Sequence, residues 1–366
     1  VAAALEALWL KVFIKVPNIV LSGGIKVAFQ LARLFLDKGH EAFVCTPDGA
    51  RRRANYFLRA RSVPIIPLRK VPEMSGPSDL SIDNWPSSQM RSISNRTKGF
   101  RVFYSQGCSN YNSSFRKGFD VSYLDRPNGW GIDMGWAVSQ PSLAWLRKAH
   151  PTQGWYYVPP YFEHACMAEL CKDAPAPSSS SVLTYDHKGR PYWHRIYDTY
   201  RQRQFPAGTV TFGRIKRPMS EMDVYRMCCR YGIFLATADD PRCGSNQYDG
   251  PGGVNGSGHN RMEGFPLPPA EAALLGCCVA GWAMGGGREW MDSTSCFLAA
   301  DPDYRAGHRF DQVAYAGLCK VLEDALNADG SVRAAKVAAA RKKLSRFTAE
   351  HTWHHVEVAL KSAGVL

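Results

Sequence analysis

The sequence predicts an α/β protein of two domains, each built on a parallel sheet. Three observations predict it. The chain has 366 residues, enough for two domains at roughly 150 residues each. The stretch from Leu10 to Pro47 reads as strand, glycine loop, buried helix, strand. After a proline- and serine-rich run at 173–181 the same alternation starts again.

Each element follows from local pattern. Val12-Phe13-Ile14 and Ile19-Val20-Leu21 are strand-like, and Ser22-Gly23-Gly24 follows them. Ile25 to Leu36 is apolar nearly all round, as in a helix covered on every side. Gly39 suits a helix C-terminal cap, Glu41 to Thr46 is a short apolar strand, and Pro47-Asp48-Gly49 is a turn. This is a βαβ unit and implies a parallel sheet covered on both faces. Residues 71–100 are rich in Pro, Ser and Asn and read as a long surface loop. Strands are expected at 101–106, 136–139 and 154–158, with a helix near 142–148. The segment 173–181 reads as a linker. Beyond it, strands at 182–185, 208–212, 233–237 and 277–280 alternate with helices at 191–203, 220–229 and 268–275. Three helical patterns close the chain, at 311–326, 333–346 and 350–362. Residues 240–262 are rich in Gly and Asn and read as a mobile loop over a ligand cleft. In open α/β sheets that cleft lies at the carboxyl ends of the strands.

Composition narrows the function classes. Hydrophobic residues make up 45% and charged residues 21%, which excludes disordered, collagen-like and coiled-coil classes. The uncharged stretch Ala272 to Gly287 is too short and too glycine-broken for a membrane span. The net charge of +13 suits an anionic partner, whether a phosphate-bearing substrate or the surface of an acidic membrane. Arg51-Arg52-Arg53, with Arg59 and Arg61, is the densest basic cluster. No nucleic-acid recognition motif accompanies it, so no specific nucleic-acid partner is expected. The eleven cysteines are odd in number and form no Cys-x-x-Cys pair. They read as buried free thiols of a reducing, cytoplasmic compartment rather than a disulfide frame or a zinc site. His351, His354 and His355 share a helix face without a metal motif and read as a packing face. Trp282 reads as core, with sugar stacking as the alternative.

The stretch Arg261 to Gly276 carries the chemistry. Pro268 and Pro269 start a helix and Gly276 ends it. The turn Gly264-Phe265-Pro266-Leu267 is expected to present backbone N–H groups at that N-terminus. Unpaired donors and the helix dipole there attract phosphate. Glu271 is expected in or near the first turn, with Glu263 on the preceding loop, so that the two carboxylates bracket a ligand.

Glu263 to Glu271 matches the E-x7-E signature of retaining GT-B glycosyltransferases, and its context resembles glycosyltransferase family 4. Tyr231-Gly232-Ile233-Phe234-Leu235-Ala236-Thr237 before it agrees, as does Leu275-Gly276-Cys277-Cys278-Val279-Ala280 after it. Ser22-Gly23-Gly24 with Lys38-Gly39-His40-Glu41 looks like the family's first βαβ unit. The resemblance implies two Rossmann-like domains facing a central cleft: an acceptor domain at 10–172 and a nucleotide-sugar donor domain at 182–349. Residues 350–366 would return to the first domain as a helix, with Trp353, Val356, Val358 and Leu360 on its apolar face.

The resemblance also implies roles. Glu271 would bind the donor's ribose, Glu263 would sit by the transferred sugar, and Gly264, Phe265, Pro266 and Leu267 would face the sugar and diphosphate. Gly23 and Gly24 would let backbone approach the diphosphate. Lys188, in His187-Lys188-Gly189-Arg190, matches the family's Lys-Gly and would stabilise the leaving diphosphate. The usual preceding Gly-Arg is replaced by Tyr185-Asp186, so Arg190 or Arg214 would stand in. The family's acceptor-side histidine is absent; Gln106, or a group from elsewhere, takes its place. The implied activity is retaining sugar transfer from a nucleotide-diphosphate sugar, as co-substrate, to a hydroxyl on a glycan, lipid-linked sugar or small molecule. Neither a metal nor a separate cofactor is expected. The alternative is a sugar-nucleotide or glycan-binding protein of the same fold with weak or no turnover.

Overall fold

Lys11–Lys15 forms the first strand, β1, with every residue from Val12 to Lys15 buried. The computed structural model describes residues 9–19, 22–47, 49, 57–84, 92–106, 131–172, 174, 177–185, 190–206, 208–216, 219–237, 264–283, 285–300 and 312–366. Helix α1 spans Gly23–Asp37, and Ser22 caps it by accepting from the Ile25 N–H at 3.4 Å. Gly39 (φ +84°) ends the helix in the left-handed region that glycine favours. The unit continues with β2 (Glu41–Thr46), β3 (Ile65–Pro67), the one-turn α2 (Val71–Met74), β4 (Leu80–Asp83) and β5 (Phe100–Ser105). It closes with β6 (Met134–Ala137), α3 (Gln140–Ala149) and β7 (Trp155–Tyr157). The strand order is β3-β2-β1-β4-β5-β6-β7, and every neighbouring pair is parallel.

Two sequence expectations fail in this half. Ile19 is outside any strand, and β1 ends at Lys15. Residues 71–100 are not one surface loop: they hold α2 and β4, whose four residues are all buried. Leu-Ser-Ile-Asp is half polar and only four residues long, so it carries no apolar run. Its burial depends on partners elsewhere in the chain, above all the ion pair between Asp83 and Lys15.

The second unit opens with α4 (His164–Lys172) and β8 (Ser178–Tyr185). It continues through α5 (Arg190–Tyr200), the short pair β9 (Gln204–Phe205) and β10 (Gly208–Thr209), β11 (Thr211–Ile215), α6 (Glu221–Cys228) and β12 (Tyr231–Ala236). Then come α7 (Leu267–Leu274), β13 (Cys278–Gly281), β14 (Cys296–Leu298), α8 (Gln312–Asn327) and α9 (Gly330–Leu344). The main sheet has the order β11-β8-β12-β13-β14 and is parallel throughout. Ser178–Ser181 open β8 instead of forming a linker. A serine run looks like a spacer by composition, but here it lies where backbones crowd. A Cβ on Gly232 would lie 2.5 Å from the Ser178 carbonyl oxygen, and the Gly232 N–H donates to Ser181 Oγ at 2.9 Å.

By contacts the chain divides into Val1–Tyr161 with Ala349–Leu366, and Phe162–Thr348. The final helix, α10 (Ala349–Ser362), therefore belongs to the first unit. Trp353 meets Phe35 edge-on at 5.4 Å, and Thr352 Oγ1 donates to the Pro159 carbonyl at 3.1 Å. Val356 and Leu360 are buried as expected, whereas Val358 is 48% exposed, because Thr352 and Ala359 complete the inner face. His355 packs on Tyr157 at 4.8 Å, and burial with His351 and His354 nearby lowers its pKa to about 4.

Candidate functional site

In the first unit β1 is the third of seven strands, with β2 and β3 on one side and β4 to β7 on the other. The chain reverses direction across the sheet between β1 and β4, a switch point where open α/β sheets bind ligands. Three loops converge there. Gly23 and Gly24 open α1 after β1, Asn84 follows β4, and Gln106 follows β5. Asn84 Nδ2 donates to the Gly24 carbonyl oxygen at 3.0 Å, and Gln106 Nε2 donates to the same oxygen at 3.1 Å. A Cβ on residue 24 would meet Gln106 Oε1 at 2.6 Å. A side chain at 24 would displace the Gln106 amide, and the structure brings Gly24 and Gln106 together.

Asn84 was missed by sequence reasoning, because it lies in the stretch read as loop. Its backbone N–H donates to the Lys15 carbonyl at 3.2 Å. Lys15 and Asp83 face each other in register on β1 and β4, with Nζ 2.9 Å from Oδ1 and both side chains at most 1% exposed. Ser94 Oγ donates to the other carboxylate oxygen at 2.6 Å. This buried pair sits at the strand ends that carry the converging loops. Burial pushes the neighbouring Cys45 thiol far above its ordinary pKa, with Lys15 opposing the shift.

In the second unit β11 flanks β8 on one side and β12 on the other, so the switch point falls between β8 and β12. Helix α7 starts at Leu267, one residue before the two prolines, and Gly276 (φ +105°) follows its end. Its N-terminus offers fewer donors than expected. Proline has no N–H, and the Leu267 N–H is turned to the Phe265 carbonyl at 3.0 Å. In the expected turn, the N–H groups of Gly264 and Phe265 make no backbone hydrogen bond among the described residues. The Phe265 ring itself points inward, packing on Phe347 at 5.0 Å and Phe162 at 6.1 Å. A Cβ on Gly287 would touch Pro266 Cγ at 3.2 Å, so the glycine-rich turn after β13 backs onto this one.

Glu271 lies beyond the first turn of α7 and is 6% exposed. The helix starts before the prolines, which moves Glu271 into the second turn. Tyr225, on α6, donates to Glu221 Oε1 at 2.7 Å. Its hydroxyl pKa is raised well above the ordinary value by burial, then by the charges of Glu271 and Glu221, and further by Glu163. Arg214, on the edge strand β11, stacks its guanidinium over the Trp193 ring at 4.9 Å. Trp282 is 4% exposed and packs edge-on against Tyr192 at 5.0 Å, which makes it core.

Lys188, Glu263, the Arg190 side chain and the loop 240–262 lie outside the described residues. An Asp-x-Asp triplet is present at Asp301-Pro302-Asp303, also outside them. The expectation of metal-free chemistry therefore rests on the family resemblance alone. Among the described residues, no cluster of His, Cys, Asp and Glu is arranged to hold a metal ion, and no helix is long and apolar enough to cross a membrane.

No protein-family model matches the chain, and no curated protein matches it by sequence. Solved structures do match. HepE from Anabaena, in complex with UDP and glucose, is 13% identical with a TM-score of 0.62, over 96% of this chain and 100% of that one. TarM from S. aureus, a mutant in complex with Fondaparinux, alpha-GlcNAc-glycerol and UDP, is 8% identical with a TM-score of 0.67, over 95% and 99%. Sucrose-phosphate synthase from Thermosynechococcus elongatus is 14% identical with a TM-score of 0.62, over 98% and 100%. These neighbours are GT-B glycosyltransferases, and the chain has the GT-B fold.

Proposed function

We propose that this chain transfers a sugar from a nucleotide-diphosphate donor to a hydroxyl acceptor, with retention of configuration and without a metal. One observation carries the reading: on a GT-B fold shared along nearly the whole chain with structures holding UDP, the loops of Gly24, Asn84 and Gln106 converge at the switch point of the first sheet. Loops that converge on a glycine turn at that place suit the binding of a diphosphate.

In this reading Glu271 binds the donor ribose, and the N–H groups of Gly264 and Phe265 meet the sugar and diphosphate. Glu263 stands by the transferred sugar. Lys188, with Arg190 or Arg214, stabilises charge as the diphosphate leaves; preset donors are effective there because they need no reorganisation. Gln106, held against Gly24, supplies the acceptor-side polar group. Pro266 and Leu267 contribute shape rather than hydrogen bonds. The acceptor is a glycan, a lipid-linked sugar or a small molecule, and the +13 charge suits work at an acidic membrane surface.

A thermal-shift screen of UDP-, ADP- and GDP-sugars tests donor binding, since a ligand of the native state raises the midpoint by mass action. Product analysis with the best donor and a panel of acceptors then tests transfer and its stereochemistry. No stabilisation by any sugar nucleotide rejects the donor site. Stabilisation without transfer or donor hydrolysis selects the second reading, a binding protein of the same fold.

A further inference from the structure

We propose that Cys171 and Cys229 are a modification site, a dithiol that oxidants close into a disulfide joining the last turn of α4 to the end of α6. The two residues are 58 apart in sequence, yet their sulfur atoms stand 3.9 Å apart in the second unit. That is van der Waals contact. A disulfide needs about 2.05 Å, so the sulfurs must close by roughly half their separation.

The two thiols differ in access, and the difference assigns their parts. Cys171 is half-buried, whereas Cys229 is 5% exposed and caps α6, with its N–H on the Tyr225 carbonyl at 3.0 Å. Cys171 is thus the sulfur that meets an oxidant, and Cys229 is the one that resolves it. Nearby thiols are otherwise engaged. Cys277 donates to the Cys228 and Tyr231 carbonyls, each at 3.1 Å, and Cys228 is buried behind them. Cys171 Sγ also lies 3.5 Å from the Leu275 carbonyl, so the cross-link would form against the foot of α7, the helix that carries Glu271.

With a peroxide as oxidant the chemistry balances. The Cys171 thiolate attacks one peroxide oxygen, the O–O bond breaks, and the departing hydroxide is protonated to water. Cys171 is then a sulfenic acid. The Cys229 sulfur attacks it, the S–O bond breaks, and a second water leaves with the Cys229 proton. The two thiols lose two electrons and two protons, and the peroxide takes up both. A thiol reductant reverses the bond by exchange.

The experiment uses the full chain without substitution, so it does not depend on a variant folding. The reduced protein is treated with hydrogen peroxide, remaining thiols are alkylated, and disulfide-linked peptides are mapped by mass spectrometry. The expected result is one dominant link, Cys171 to Cys229, reversed by dithiothreitol. Phenylarsine oxide, which bridges close thiol pairs, should bind the reduced protein, and Cys171→Ser should abolish both the link and that binding. The proposal is overturned if Cys171 ends as a sulfinic acid with Cys229 still alkylated, or if another pair dominates. It stands or falls apart from the sugar-transfer reading, since neither thiol has a part in that chemistry.

Discussion

Gln106 occupies the space that a side chain on residue 24 would need: its Oε1 lies 2.6 Å from the position of that absent Cβ, while its Nε2 donates to the Gly24 carbonyl at 3.1 Å. One amide both holds the loop after β1 and fills the space beside Gly24.

Gly24→Ala should therefore fold and bind poorly. The obstructing atom is the far end of a flexible side chain, so Gln106 swings away and the loop loses one of its two side-chain donors. The loss of one such hydrogen bond, about 1 kcal/mol, should weaken sugar-nucleotide binding several-fold in calorimetry. Unchanged affinity would remove this loop from the site.

Glu271→Gln keeps the volume of a buried side chain and removes its charge. Donor affinity should fall by about 1.5–3 kcal/mol, the range for a hydrogen bond to a charged group, with the circular dichroism spectrum unchanged. A donor that binds this variant as tightly as the parent would take Glu271 out of the ribose contact.

Asp83→Asn leaves Lys15 buried without its counter-charge. Breaking a buried ion pair on one side typically costs about 3–5 kcal/mol, so the urea midpoint should drop sharply. The double variant Lys15→Met, Asp83→Leu should recover most of it, because the charges leave together. A double variant as unstable as the single would point to packing rather than charge.

Stability should fall as pH is lowered through the histidine range. His355 has a folded-state pKa of about 4, against an ordinary value of 6.5. Between those values the unfolded chain binds more protons. The contribution is full above pH 6.5 and is lost progressively as pH falls toward 4. His40, lowered by burial, acts in the same direction. Denaturation midpoints measured from pH 7.5 down to 5 should decline, and less steeply in His355→Gln. Equal slopes in the two proteins would show that His355 stays solvated.

Local signals made most of the fold legible. Glycines at 39 and 276 marked helix ends because only a residue without Cβ takes φ +84° or +105° cheaply. The apolar run of α1 and the βαβ order marked the first parallel sheet, since most strands buried on both faces read as apolar runs. The spacing of Glu263 and Glu271 around Gly-Phe-Pro-Leu-Pro pointed to a GT-B fold.

What tertiary structure alone decided were the places where a residue's environment comes from distant chain. Leu-Ser-Ile-Asp is a central strand only because Lys15 neutralises Asp83 and β1 and β5 supply its ladders. Four serines begin a strand because β12 pairs along them: the Gly232 N–H donates to Ser181 Oγ at 2.9 Å, and a Cβ on residue 232 would lie 2.5 Å from the Ser178 carbonyl oxygen. Asn84 joined the site through a carbonyl 60 residues away, and Cys171 met Cys229 across 58. The sequence determined periodicity, chain reversals and the residue types available for chemistry, all set by sterics within a few residues. The fold decided which polar groups could be buried, because desolvation is offset only by partners that sequence order does not bring near.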